Sequence, residues 1–266
     1  MHAAEKAVGG SEVSAEPVRI LITGATSAIG AALAQAYARS DTVLYLHGRN
    51  GQVLEQVAKV CQAQGAQTVL QIQDLREFDA WRDWLGSLPA MDLVIVNAGL
   101  NTHAIAVGES EPWVDVEALL DVNIKASMLT IQSVLPAMRV RSRGQIAVMS
   151  SLAAYFGLPV TPAYCASKAA IKAYGEALRG AEIVNGIWVN VVMPGYVASP
   201  MCDAMPGPKL FLWSPQRAAQ KIQRGLAKNQ ARISFPFPLN VGTWCLSVLP
   251  ASVSMYLVRK LGYVRC

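Results

Sequence analysis

The chain has 266 residues, 53% of them hydrophobic and 15% charged, with a mean hydropathy of +0.30 and a net charge of +5. That composition excludes a disordered chain, and the length suits one large domain that folds without a disulfide or metal staple. The 23 lysines and arginines are scattered, which excludes a nucleic-acid groove and leaves an anionic small molecule as the charged partner.

Residues 1–16 contain no apolar segment and read as a flexible tail, not a secretory leader. From Val18 onward two periods alternate. Short apolar runs predict strands at 18–22, 42–47, 67–72, 92–96, 145–149 and 187–192, with a shorter seventh at 232–235. Helical periods run between them over 28–39, 51–64, 76–88, 112–140, 163–184 and 215–228. Strands apolar on both sides, alternating with helices, predict an α/β chain. The expected architecture is one doubly wound Rossmann domain over 17–235, with a mainly parallel seven-stranded sheet and helices on both faces.

Cys61, Cys165, Cys202, Cys245 and Cys266 are odd in number and at no metal-binding spacing, so they read as reduced thiols of a cytoplasmic protein. His2, His47 and His103 show no ligand spacing either, and no metal is expected. No stretch of 18 residues is apolar without interruption, which argues against a membrane span.

The first strand runs into Thr23-Gly24-Ala25-Thr26-Ser27-Ala28-Ile29-Gly30 and then a helix. A glycine-bearing turn there aims free backbone N–H groups and the helix dipole at a phosphate. Gly24 permits the tight reversal, and Gly30 lets the helix lie close to the sheet. The second strand ends in Gly48-Arg49-Asn50. An acid at position 48 would accept from a ribose 2′-hydroxyl and select NAD(H); with glycine there and Arg49 next, a 2′-phosphate is accommodated and NADP(H) is expected.

Further motifs stand in a telling order. Asp74-Leu75 follows the third strand, Asn97-Ala98-Gly99 the fourth, and Asn123 lies in Asp121-Val122-Asn123. Ser151 precedes Tyr164-Cys165-Ala166-Ser167-Lys168, and Pro194-Gly195 follows the sixth strand. Over about 18–235 the chain resembles the short-chain dehydrogenase/reductase family. The resemblance implies that Asn123, Ser151, Tyr164 and Lys168 are catalytic. It also implies that the dinucleotide lies against Gly24, Thr26, Ser27, Ala28, Ile29, Gly30, Arg49, Asp74, Leu75, Asn97, Ala98 and Gly99. Tyr164, Lys168, Pro194, Gly195, Val197 and Ser199 complete that set. Ala28 departs from the family's usual glycine, but it opens a helix, where φ is negative and a methyl group fits. Ser199 stands where the family often has threonine.

The implied chemistry is hydride transfer between NADP(H) and a carbonyl or alcohol. Tyr164 is the expected proton donor. Lys168, one helical turn on, is expected to lower its pKa and to hold the nicotinamide ribose. Ser151 would bind the substrate oxygen, and Asn123 would hold a water linking Lys168 to solvent. Substrate contacts are expected at Ser151, Tyr155, Tyr164 and Met201, with Phe156 and Leu158 as a further wall. The segment from Val197 to Trp213 reads as an irregular lid over an apolar pocket. Ser214-Pro215 caps the next helix.

Beyond Phe235 the resemblance fades. Residues 236–266 form an apolar extension with a helix expected from Ala251 to Leu261, its stripe being Val253, Tyr256, Leu257 and Leu261. Packing on the domain or a subunit neighbour is one expectation, and peripheral membrane contact is the other. The resemblance also implies a homodimer or homotetramer through helices 112–140 and 163–184. A non-catalytic NADP(H) sensor or scaffold stays as the alternative function.

Overall fold

The computed structural model describes residues 16–102, 110–205 and 207–262. The tail over 1–15, His103, Pro206 and Cys266 lie outside the described residues. Seven strands form one sheet: β1 (Val18–Ile22), β2 (Thr42–Gly48), β3 (Gln67–Ile72), β4 (Leu93–Val96), β5 (Gly144–Met149), β6 (Ile187–Pro194) and β7 (Arg232–Phe235). Their spatial order is β3-β2-β1-β4-β5-β6-β7, and every neighbouring pair is parallel. The order reverses beside β1, between β1 and β4, so a crevice opens at the carboxyl ends of those strands.

Parallel strands need crossovers, and the helices supply them on both faces. On one face α1 (Ala28–Tyr37), α2 (Gly51–Ala63) and α8 (Pro215–Ala227) cover a core that includes Ile20, Ile22, Leu33, Leu44, Leu54 and Ile222. On the other lie α3 (Phe78–Ser87), α5 (Ser127–Arg141) and α6 (Pro162–Glu182), packed on Leu21, Val94, Ile131, Ile146 and Ile171. Trp81 of α3 is fully buried there, and its indole N–H donates to Thr130 Oγ1 at 2.9 Å. Side-chain caps fix the starts of α1, α2 and α8 among others: Ser27 accepts from Gly30, Asn50 from Val53, and Ser214 from Arg217, with Pro215 next to it as expected.

Three elements differ from the sequence expectation. The single helix expected over 112–140 is α4 (Trp113–Leu120), a six-residue π-helical turn (Asp121–Ala126), and α5. Such wide turns are rare inside helices and mark sites where the backbone serves something other than the helix. The lid carries a short α7 (Pro200–Ala204), and its base is pinned where Ala198 N–H donates to Trp213 O and Trp213 N–H to Tyr196 O. The extension holds two helices, α9 (Leu239–Val248) and α10 (Ala251–Lys260). α9 was not expected; Pro238 and Pro250 stand at the caps that start α9 and α10. The expected stripe is not buried within the domain: Val253, Tyr256, Leu257 and Leu261 all stay exposed in part. Ser254 and Val258 are buried instead, Ser254 Oγ donating to Leu246 O at 2.8 Å across the hairpin.

Candidate active site

The turn after β1 is held by a lattice of polar contacts. Gly24 sits at φ +66°, where only glycine is unstrained, and a β-carbon on it would stand 2.8 Å from Ala98 Cα. Gly30 is tighter still, since a β-carbon there would stand 2.2 Å from Gly24 O. Thr23 Oγ1 accepts from the amides of Asn97 and Ala98, and Asn97 Nδ2 donates to the carbonyls of Thr23 and Gly24 and to Ser27 Oγ. Asn97-Ala98 therefore locks the turn to the end of β4. Among the described residues the backbone N–H groups of Ala28 and Ile29 meet no acceptor, so the first turn of α1 presents two free donors. Ala28 itself is helical and uncrowded.

Below the turn lies a residue that sequence reasoning passed over. His47 is buried, its ring tilted against that of Trp81 with centroids 4.8 Å apart, and its Nδ1 accepts from Gly24 N–H at 3.3 Å. That donor fixes the tautomer, so Nε2–H donates to Gln73 O at 3.1 Å. Burial lowers the imidazole to about pKa 4. At neutral pH it is an uncharged strut between the turn and the end of β3.

The reason for glycine at 48 is also plain only in three dimensions. A β-carbon on Gly48 would stand 2.6 Å from Thr26 Cγ2, so the Thr26 side chain occupies the space an acid would need. Arg49 is exposed beside it, in an open groove with Asn50, Gly51 and Gln52. Asp74 follows β3, with its carboxylate accepting from the Arg76 guanidinium at 2.7 Å and from the Arg76 amide. Those bonds hold its pKa below the usual carboxylate range. Leu75 is buried behind it.

The second group gathers at the carboxyl ends of β4, β5 and β6. The helical spacing of α6 puts Tyr164 and Lys168 on one face, with the Lys168 ammonium 5.6 Å from the Tyr164 ring centre. Lys168 is buried, and its ammonium donates to Met149 O at 3.0 Å. Ser151 starts the loop after β5; its hydroxyl pairs with that of Tyr164 and lies 3.5 Å from Pro194 O. Asn123, in the π-helical turn, accepts from Leu100 N–H at 2.7 Å and donates to Leu100 O and to Ser167 Oγ. A β-carbon on Gly99 would stand 3.3 Å from both Asn123 Oδ1 and Lys168 Nζ, so these two polar atoms face the same glycine. Four residues from three segments thus converge. The electrostatics run against the expectation that Lys168 makes Tyr164 acidic. Burial raises the Tyr164 phenol to about 12, opposed by the Ser151 hydrogen bond, and burial lowers the Lys168 amine to about 8.

Tyr164 and Ser151 open into an apolar cavity of about 560 Å³. Its walls include Leu152, Phe156 and Leu158 on one side, Met201, Cys202, Met205 and Leu210 from the lid, and Leu239, Leu246 and Leu257 from α9 and α10. Pro194, Gly195, Val197, Ser199 and Ile29 form the side toward the turn. Met201 is where it was expected. Tyr155 is not: it packs against the Leu152, Val191 and Met193 cluster, with Lys172 and Arg232 over its ring, and Phe156 takes the cavity wall instead. Ser199 spends its hydroxyl locally, accepting from Cys202 N–H and donating to Val197 O. A β-carbon on Gly195 would stand 2.9 Å from Pro236 and 3.1 Å from Leu239, so the extension closes directly over the Pro194-Gly195 element.

The sequence profile of the short chain dehydrogenase family matches residues 19–207. The chain belongs to the short-chain dehydrogenase/reductase family. An uncharacterized oxidoreductase of Myxococcus xanthus is 33% identical over 246 residues, covering 91% of this chain and 96% of that one. An 11-beta-hydroxysteroid dehydrogenase 1A of Arabidopsis thaliana is 34% identical over 250 residues, covering 92% of this chain and 67% of that one. Among solved structures, a short-chain dehydrogenase from Sphingobium yanoikuyae in complex with NADPH shares the fold with a TM-score of 0.77 at 20% identity, covering 93% of this chain and 96% of that one. The chain is accordingly an oxidoreductase of this family, whose members act on CH–OH and C=O groups and bind NAD(P). In family language, the π-helical turn delivers the asparagine, the loop after β5 the serine, and α6 the tyrosine and lysine. The family match ends at residue 207, before the α9–α10 wall begins. Among the described residues no helix is long and apolar enough to cross a membrane, and no group of side chains could hold a metal ion.

Proposed function

We propose that the chain is an NADP(H)-dependent reductase or dehydrogenase of an apolar carbonyl compound and its alcohol, with Tyr164 moving the proton at the substrate oxygen. The carrying observation is the paired Tyr164 and Ser151 hydroxyls at the inner end of an apolar cavity, with Lys168 and Asn123 behind them. Bound along the turn, the reduced dinucleotide supplies the hydride. A carbonyl accepting it develops charge on oxygen, and the two hydroxyls stand where that charge would be stabilised. Tyr164 donates the proton, and its raised pKa keeps that proton in place until an alkoxide, a far stronger base, draws it off. Lys168 holds a positive charge close enough to favour the phenolate that results. Asn123 is a positioning residue: its side chain ties the strand-β4 loop to α6 and keeps Lys168 in register. A sensor that only binds the dinucleotide would have no use for this set, and no observation favours that alternative.

The fit to NADP(H) is supported by the free Ala28 and Ile29 donors for a diphosphate, and by Arg49 beside a glycine against which the Thr26 side chain packs. Charge-assisted hydrogen bonds to a 2′-phosphate are worth about 1.5–3 kcal/mol, so Arg49→Ala is expected to raise the KM for NADPH about ten- to a hundredfold. The KM for NADH should stay nearly unchanged, and equal losses with both cofactors would overturn the assignment.

The Lys168 amine sets the expected pH dependence. With its pKa lowered to about 8, it is charged below that pH and neutral above it, while Tyr164 keeps its proton throughout. At subsaturating cofactor, kcat/KM for carbonyl reduction is expected to be flat below pH 8 and to fall tenfold per pH unit above it. A profile without a break near pH 8 would remove Lys168 from this role. The free thiols at Cys61, Cys165, Cys202 and Cys245 accord with a reducing, cytoplasmic setting. Exposed Trp113 and Val114 on α4 accord with self-association into a dimer or tetramer through α4, α5 and α6.

A further inference from the structure

We infer that the α9–α10 hairpin docks on an anionic lipid bilayer, with the mouth of the cavity turned toward the lipid. α9 is apolar on two sides. Leu239, Thr243 and Leu246 line the cavity, while Val241, Trp244 and Val248 point away from it and are exposed. Phe237, just before α9, is 79% exposed. Val253 and Tyr256 on α10 are exposed as well. Single exposed apolar residues are ordinary, but a row of them at helical spacing along α9, with Trp244 at its middle, marks an interaction surface.

Charge decides which surface it meets. Asp203 is the last acid in the chain: residues 204–266 hold nine lysines and arginines and no aspartate or glutamate. The preceding 203 residues hold 14 cations and 18 acids, so the chain divides into a −4 part and a +9 part. The cations are scattered; it is the acids that are confined. At the hairpin, Arg259 and Lys260 close α10, and among the described residues neither has an acid partner. An apolar face edged by unneutralised cations complements the headgroup boundary of an anionic leaflet, where such a helix lies in the plane. A second copy joined symmetrically through the same patch would bring like charges together, which disfavours self-association here.

The consequence for the site rests on the function proposed above. Met201, Leu249, Leu257 and Leu261 are at once exposed and part of the cavity wall. An apolar path therefore runs from the hairpin surface toward Tyr164, and the substrate class that uses it is a carbonyl or alcohol dissolved in the bilayer.

Flotation of the full chain with vesicles of phosphatidylcholine alone and of phosphatidylcholine mixed with phosphatidylglycerol tests the docking without reference to activity. Binding is expected to the anionic vesicles and to be strongly reduced with the neutral ones. A cation near an anionic leaflet is worth about fivefold in partitioning, so Arg259→Gln with Lys260→Gln should weaken binding about 25-fold. Phe237→Glu with Trp244→Glu should abolish it, both side chains being surface groups whose replacement leaves the core intact. As an independent reading, brominated lipid should quench the fluorescence of the wild type more than that of Trp244→Phe. No flotation of the wild type would overturn the inference, as would a dimer that Phe237→Glu with Trp244→Glu splits. Loss of turnover in a chain that still floats would count against the proposed function and leave the docking standing.

Discussion

Tyr164→Phe is expected to lower turnover by about 10²- to 10⁴-fold, the range over which a positioned proton donor contributes. The substitution removes one oxygen from a ring held by α6 and leaves the surrounding packing unchanged, so the protein should melt at nearly its usual temperature. NADPH should still bind, since the turn after β1, Arg49 and Lys168 remain in place. The check is an NADPH-oxidation screen over ketones, aldehydes, sterols and 3-oxoacyl thioesters, followed by titration of NADPH into the variant by fluorescence. Retained turnover would transfer the proton to another group, for which Ser151, the hydroxyl paired with Tyr164, is the only neighbour so placed among the described residues. Loss of NADPH binding together with turnover would mean that the tyrosine holds the cofactor and would leave the chemical role without support.

The second large effect is on stability, and it comes from His47. Its folded pKa, about 4, lies below its ordinary value of 6.5 because burial disfavours the charged ring. The unfolded chain therefore takes up a proton first as pH falls, and stability is lost between pH 6.5 and about pH 4. A difference of that size is worth about 3 kcal/mol, a large share of the margin of an ordinary domain. Protonation would also put an N–H where Nδ1 accepts from Gly24, pushing apart the turn that holds the free Ala28 and Ile29 donors. Urea unfolding of the wild type and of His47→Gln, compared at neutral and acid pH, isolates this contribution from that of the carboxylates. The variant is expected to lose about 3 kcal/mol less over the interval. Parallel losses in the two proteins would show that the ring does not titrate in this range.

Much of this architecture is legible in the chain because strand and helix periods are separated cleanly. The apolar runs that become β1, β4 and β5 lie within a residue of their expected limits, and β6 runs two residues beyond its own, to Pro194. Legibility fails where a residue answers to something distant in sequence. Asn123 falls inside the single helix expected over 112–140, and the π-helical turn that holds it depends on Leu100 and Ser167 in other segments. His47 carries no motif, and its importance lies in Gly24 and Gln73 on either side of it. Tyr155 and Phe156 are adjacent and both aromatic, so only the direction of the backbone tells which one faces the cavity. The extension was the least readable part: α9 was not foreseen, and Pro238 and Pro250 mark where α9 and α10 begin. The sign of the Tyr164 perturbation was missed for a different reason. Spacing shows that a lysine is near, but it does not show how thoroughly both groups are removed from water.

The contact between Thr26 and the bare backbone of Gly48 bears on redesign. A side chain added at 48 alone meets the Thr26 methyl group at 2.6 Å, so that group has to turn aside before anything larger than hydrogen fits. Trimming position 26 first opens the space. The two positions, over twenty residues apart in the chain, are therefore coupled, and an engineer who alters one without the other starts at a disadvantage.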